Sequence, residues 1–367
     1  MSSCAALNGA TAWQVTLDRR SAGPCALGFT VAAPPQAEPP LLLDGAAFAV
    51  LPLAMRAGRA LHVAGSVSRT ALRNLHDFAG AWANWSPRAF RAVPISADTV
   101  RDDVMPPPQQ RALLAWDGSL QAGCSLVRYH DPLVAGAPQL AGLLHVAGMD
   151  AARHDAAVAD AAARAAGALG IPLIRVSIDA AAQGAIDPVV GRLPLVAAAL
   201  HLAGGGCTMG LVPRGWHYGV LLRRRRPLTH MPDLLSGDGF AVRSDGGGLG
   251  PAVQAAIVAR RPEIAALLTP RDAQARRLAA LGFAAAGLAP PAAVKLPSPV
   301  AAALALDLGD AFAAAAAETL ERDARRPAAA ALHVLRARLA AARWGGIAGD
   351  YVRWFGALAG MRAPWPR

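Results

Sequence analysis

Up to about residue 100 the apolar positions come in short bursts. Residues 12–17 alternate polar and apolar side chains, the period-two pattern of a half-buried strand. Pro34-Pro35 and Pro39-Pro40 bracket a loop. Residues 44–55 read as a helix interrupted at Pro52, and 60–65 as a short strand ending in Gly65. A helix is expected over 68–85 with Ser68 as its N-cap, then a strand over 91–95. This mixture suggests a small α+β domain over 1–105, closed by Pro106-Pro107-Pro108.

Beyond those prolines the rhythm becomes regular. Continuous apolar runs over 111–116, 140–147, 171–178 and 207–212 read as buried strands. A loop over 117–123 and helices over 124–130, 151–169 and 193–202 separate them, the second helix stopped by Gly170 and Pro172. Uninterrupted apolar strands alternating with helices predict an α/β fold, a doubly wound parallel sheet covered on both faces, over 106–250. Such sheets bind ligands at the carboxyl ends of their strands. That directs attention to the loops beginning at Asp117, Gly148, Asp179 and Pro213. Residues 251–367 read as a helical C-terminal region, with helices over 251–268, 271–281, 302–321 and 327–343; alanine runs there favour helix.

The composition narrows the class. With 54% hydrophobic and 17% charged residues in 367, the chain is rich enough in apolar side chains to build a large core. The net charge of +11 rests on 36 basic residues, of which only Lys295 is a lysine. The charge is spread along the chain with no nucleic-acid recognition motif, so nucleic acid is not an expected partner. Cys4, Cys25, Cys124 and Cys207 lack the C-x-x-C spacing of a zinc or redox site, so no metal is expected. Few scattered thiols, no secretory pattern over 1–20 and a longest uncharged stretch broken by Gly204-Gly205-Gly206 point to a cytoplasmic protein without a membrane span.

One turn carries a more specific signal. Ala115-Trp116-Asp117-Gly118-Ser119-Leu120-Gln121-Ala122-Gly123-Cys124-Ser125-Leu126 lies at the first strand-to-helix turn of the expected sheet. It resembles an eroded PP-loop, S-G-G-x-D-S, of the ATP pyrophosphatase superfamily, which includes the synthetase domain of asparagine synthetase, deazaguanine synthases and tRNA-thiolating enzymes. The likeness continues through Leu144-His145-Val146-Ala147-Gly148-Met149-Asp150, Ile171-Pro172-Leu173-Ile174-Arg175-Val176 and residues 226–236. It also takes in residues 55–74, so that it covers roughly 55–285. It implies a PP-loop or HUP-like sheet. In the superfamily the loop cradles the pyrophosphate of ATP and the substrate is adenylated. This chain departs from that pattern: Asp117 replaces the opening serine, Ser119 the second glycine, Gln121 the acid and Ala122 the closing serine. A carboxylate at Asp117 repels a pyrophosphate. The cysteine-rich segment of several relatives corresponds to residues 269–278, which contain no cysteine.

The expectation is therefore a degenerate ATP site with no catalytic residues and no cofactor. The protein would be an accessory that binds a peptide or an extended small molecule in a modified-peptide pathway. The residues expected to line the site are Asp117, Gly118, Ser119, Gln121, Asp150, Asp179, Arg214, Trp216, His217 and Arg223. The alternative is a divergent ATP- and Mg-dependent ligase or amidotransferase, in which Gly118, Ser119, Gly123 and Ser125 present amides and hydroxyls to phosphate at a helix N-terminus. Arg223-Arg224-Arg225-Arg226 suits a carboxylate or phosphate. His145 reads as a satisfied core histidine, and Asp150 as a helix cap or a contact to a ligand amine. The alanine-rich helices and Trp344, Trp354 and Trp365 would suit a homodimer. No G-x-S-x-G elbow is present, and no serine-histidine-acid triad can be picked from the scattered residues.

Overall fold

A computed structural model describes residues 2–7, 10–17, 25–32, 42–102, 109–131, 133, 136–179, 190, 192–213, 232–246, 249–271, 275–276, 279–280, 282–283, 286 and 288–294. The expected helices over 302–321 and 327–343, the three C-terminal tryptophans and the arginine run 223–226 lie outside the described residues.

The chain opens with β1 (Ser2–Leu7), β2 (Ala10–Leu17) and β3 (Cys25–Ala32). Next come α1 (Asp44–Ala57), β4 (Leu61–Ser68), α2 (Arg69–Trp85) and β5 (Ile95–Arg101). The alternating region follows as β6 (Arg111–Ala115), α3 (Leu120–His130), β7 (Gln139–Ala147), α4 (Ala152–Leu169), β8 (Leu173–Ile178), α5 (Leu193–Ala203) and β9 (Met209–Pro213). A 3-10 turn at Pro232–Leu235 leads to β10 (Ala241–Asp245), and α6 (Pro251–Val258) and α7 (Pro262–Ala265) come after it.

The fold is α/β, as the alternating pattern predicts, with a mostly parallel sheet flanked by helices. Eight strands run in the order β1-β2-β3-β8-β7-β6-β9-β10. The five from β6 to β10 are mutually parallel. Numbered by appearance, their order is 3-2-1-4-5, the arrangement of an open doubly wound sheet with its reversal beside the first strand. β3 joins antiparallel to β8, with Phe29 opposite Ile178, so the N-terminal strands extend this sheet. β4 and β5 form a separate parallel pair connected through α2.

Two compact units interleave along the sequence. The first comprises the described residues within Met1–Asp117, Arg128–Pro213 and Pro227–Asp245. Its core gathers Leu113, Leu144, Val146, Ile174, Val176 and Ile178 of the sheet, Leu195 and Leu200 of α5, Phe48, Leu51 and Met55 of α1, and Leu75, Phe78 and Trp82 of α2. The β4-α2-β5 segment thus shares one core with the sheet. The second unit comprises the described residues within Gly118–Val127, Arg214–Arg226 and Gly246–Arg367. Leu120, Cys124, Val258, Leu268 and Phe283 are buried together in it.

Several local expectations change. α1 runs through Pro52 without a break. β5 begins only at Ile95, after Pro94, because proline donates nothing to a ladder. α3 starts at Leu120 and not at Cys124, and the expected helix over 251–268 is two short ones. No helix among the described residues is long and apolar enough to cross a membrane.

Candidate functional site

In the first unit the carboxyl ends of the parallel strands position Asp117, Asp150 and Asp179, whereas Gly118, Ser119 and Gln121 belong to the second unit. In the first unit β6 ends at Ala115, and Trp116 continues its ladder by donating its backbone N–H to the Leu144 carbonyl at 2.7 Å. Asp117 follows and is exposed. β7 ends in Gly148-Met149-Asp150. Gly148 has φ 86°, and a Cβ there would stand 1.8 Å from the Ile178 carbonyl oxygen, so only glycine lets these strand ends approach. Its N–H donates to Asp155 Oδ2 at 2.8 Å.

Asp150 neither caps α4 nor stands open to a ligand amine. The N-cap is Ala151, which makes no side-chain capping bond. Both terminal nitrogens of Arg192 donate to the Asp150 carboxylate, and one also donates to the Met149 carbonyl. The result is a bidentate clamp across the β7–α4 turn, with both side chains about four-fifths buried. Asp179 is exposed, and its backbone N–H donates to the Gly28 carbonyl at 3.3 Å. Arg214, Trp216, His217 and Arg223 lie outside the described residues.

The rest of the loop belongs to the second unit. Gly118 has φ 73°, and its carbonyl accepts from the Thr269 N–H at 2.8 Å. A Cβ on Gly118 would meet Thr269 Oγ1 at 2.0 Å. Thr269 thus packs directly over this glycine. Ser119 Oγ accepts from the Ala122 N–H at 3.1 Å, serving as a cap for the first turn of α3. Gln121 and Ser125 are buried.

His145 departs from the expectation of a satisfied core residue. It is 3% exposed and faces away from Leu144 and Val146, on the side of the sheet that Trp116 shares. Among the described residues neither ring nitrogen reaches a partner with full hydrogen-bond geometry, and neither does the Trp116 indole N–H, in a residue 2% exposed. Burial pushes the His145 imidazole below its ordinary range. The Trp116 backbone and Asp155 oppose that shift, and Arg175 and His154 add to it.

A second buried polar group went unnoticed in the sequence because its members are far apart. Asp44, 3% exposed, accepts from Ser68 N–H at 2.8 Å and from Ser68 Oγ–H at 2.7 Å. Ser68 Oγ in turn accepts from the N–H groups of Ala71 at 3.1 Å and Asp238 at 3.0 Å. One donated and two accepted bonds fill a hydroxyl's capacity, so Ser68 is a structural tie and not a nucleophile. His201 bonds the Leu235 carbonyl through Nε2 at 2.8 Å, which places the proton on that nitrogen. Burial raises the Asp44 carboxyl and lowers His201, while attraction between the two opposes both shifts. No group of three or more His, Cys, Asp or Glu side chains that could hold a metal occurs among the described residues.

No protein-family model, curated protein or solved structure matches the chain.

Proposed function

We propose that this chain is a cytoplasmic binding protein on a PP-loop-like, HUP-like scaffold whose phosphate loop no longer serves ATP. Its ligand is a peptide or an extended small molecule, and its role is accessory to a modified-peptide biosynthetic pathway. The 3-2-1-4-5 order of parallel strands supports the scaffold reading, because the loop that resembles a PP-loop follows the first strand of that order. The observation that carries the loss of ATP is the covered loop. Thr269 packs on Gly118, and the Ser119 oxygen accepts from its own helix. The clamped β7–α4 turn gives a rigid strand end on which a ligand site can be built.

Calorimetric titration of the full chain with ATP and magnesium tests the first half. No heat is expected, and saturable micromolar binding would overturn the reading in favour of the adenylating ligase. Fluorescence anisotropy with labelled precursor peptides encoded beside the gene tests the second half. Saturable binding is expected, and its absence across that set refutes the peptide ligand.

A further inference from the structure

The parallel pair β4–β5 carries a polar constellation that shares no residue with the strand-end site. His62 stands opposite Ser96 in the register of the pair, so both project from the same face, and Asp98 returns to that face two residues later. Ser96 Oγ lies 3.0 Å from His62 Nδ1, and Asp98 Oδ1 lies 2.9 Å from His62 Nε2. An ionised carboxylate only accepts, so Nε2 carries the ring proton and Nδ1 offers its lone pair to the serine hydroxyl. This is the serial arrangement of nucleophile, base and orienting acid by which serines are activated. Stability alone gives little reason for it. The His62 and Asp98 side chains are 57% and 55% exposed, and ion pairs so exposed contribute little to stability. The same exposure leaves the hydroxyl open to a reagent.

We propose that Ser96 is an acyl-accepting nucleophile, with His62 as its general base and Asp98 as the positioning residue, acting on activated carboxylic esters such as aryl esters and thioesters. As Ser96 Oγ bonds to the carbonyl carbon, its proton passes to His62 Nδ1. The tetrahedral adduct collapses with cleavage of the bond to the leaving oxygen or sulfur, and His62 returns the proton to the departing phenolate or thiolate. The products are acyl-Ser96 and a free phenol or thiol. Water then attacks the acyl group, again giving a proton to His62, and releases the carboxylic acid with Ser96 restored. Donors with good leaving groups are the fitting class, because His62 and Asp98 are more than half exposed and a reagent that needs little orientation suits so open a face.

The test uses the full chain with p-nitrophenyl acetate, following nitrophenolate release and mapping the acetyl adduct by peptide mass spectrometry. An adduct on Ser96 is expected, and Ser96→Ala removes it. His62→Gln slows release by at least about 100-fold. Asp98→Asn slows it about 10-fold, and Asp98→Glu recovers part of that loss. Three results overturn the proposal: wild type no faster than Ser96→Ala, an adduct found only elsewhere, or His62→Gln at the wild-type rate. The substituted side chains are exposed, and circular dichroism confirms that each variant is folded.

Discussion

Replacing His145 with leucine should stabilise the protein. An imidazole sealed in the sheet needs a partner for its donor nitrogen and one for its acceptor nitrogen, and among the described residues this ring reaches neither with full hydrogen-bond geometry, the Trp116 backbone being its nearest polar neighbour. A buried polar group left unsatisfied costs about 1–3 kcal/mol. Leucine is close in volume, carries no polar atom and suits the surroundings of Leu114 on β6, Trp116 just past its end and Leu143 on β7, all buried. Allowing for imperfect fit of a branched side chain, His145→Leu should gain about 1–2 kcal/mol at pH 8. The assay is urea unfolding followed by tryptophan fluorescence, where the midpoint should rise with the slope unchanged. The pH dependence gives a second check. The folded imidazole is depressed below its ordinary 6.5, so the unfolded chain takes up a proton that the folded chain resists. The neutral ring's contribution is full above pH 6.5 and is lost as pH falls through the depressed folded value. The advantage of leucine should therefore widen below pH 6.5. His201 is depressed in the same direction, so some acid sensitivity should persist in the variant. A loss of more than about 1 kcal/mol at pH 8 would refute the reasoning, because it would mean that the ring is hydrogen-bonded in solution.

Two further substitutions probe the packing. Gly118→Ala combines a left-handed backbone with a methyl 2.0 Å from Thr269 Oγ1, and should destabilise the second unit by about 2 kcal/mol or more, read by hydrogen exchange at α6; unchanged exchange there would mean that the loop is not packed on Thr269. Ser68→Ala removes the α2 cap, a donor to Asp44 and the acceptor of the Asp238 N–H, and should cost about 2–4 kcal/mol in chemical unfolding; a cost below about 1 kcal/mol would refute the assigned tie.

What the sequence made legible was local. Ser68 caps α2 as its position before an amphipathic run suggests. Gly170 ends α4 in the left-handed conformation, with its N–H bonding back to the last turn. The four apolar runs after residue 110 all became sheet strands, because an apolar run of that length between turn residues has few other places to go. Pro52 misled because tertiary burial of α1 outweighs the one lost backbone bond. The pairing of β3 with β8 and the tie of Asp44 to Ser68 and Asp238 depend on partners distant in sequence, and no local period encodes them. The same holds for the site. The turn at 117–119 was visible as a turn, whereas Thr269 over Gly118 and Arg192 on Asp150 were not. His62, Ser96 and Asp98 converge only through the register of a parallel pair interrupted by a helix.

The antiparallel seam between β3 and β8 also sets a timetable for synthesis. Phe29 finds its place opposite Ile178, so the first three strands leave the ribosome long before the strand that closes them onto the sheet. At roughly 5–20 residues per second that wait lasts about 7–30 seconds. During it a ready-made hairpin edge stands open to other nascent chains. Closure of this sheet in the cell therefore waits on a strand far downstream of the hairpin it covers.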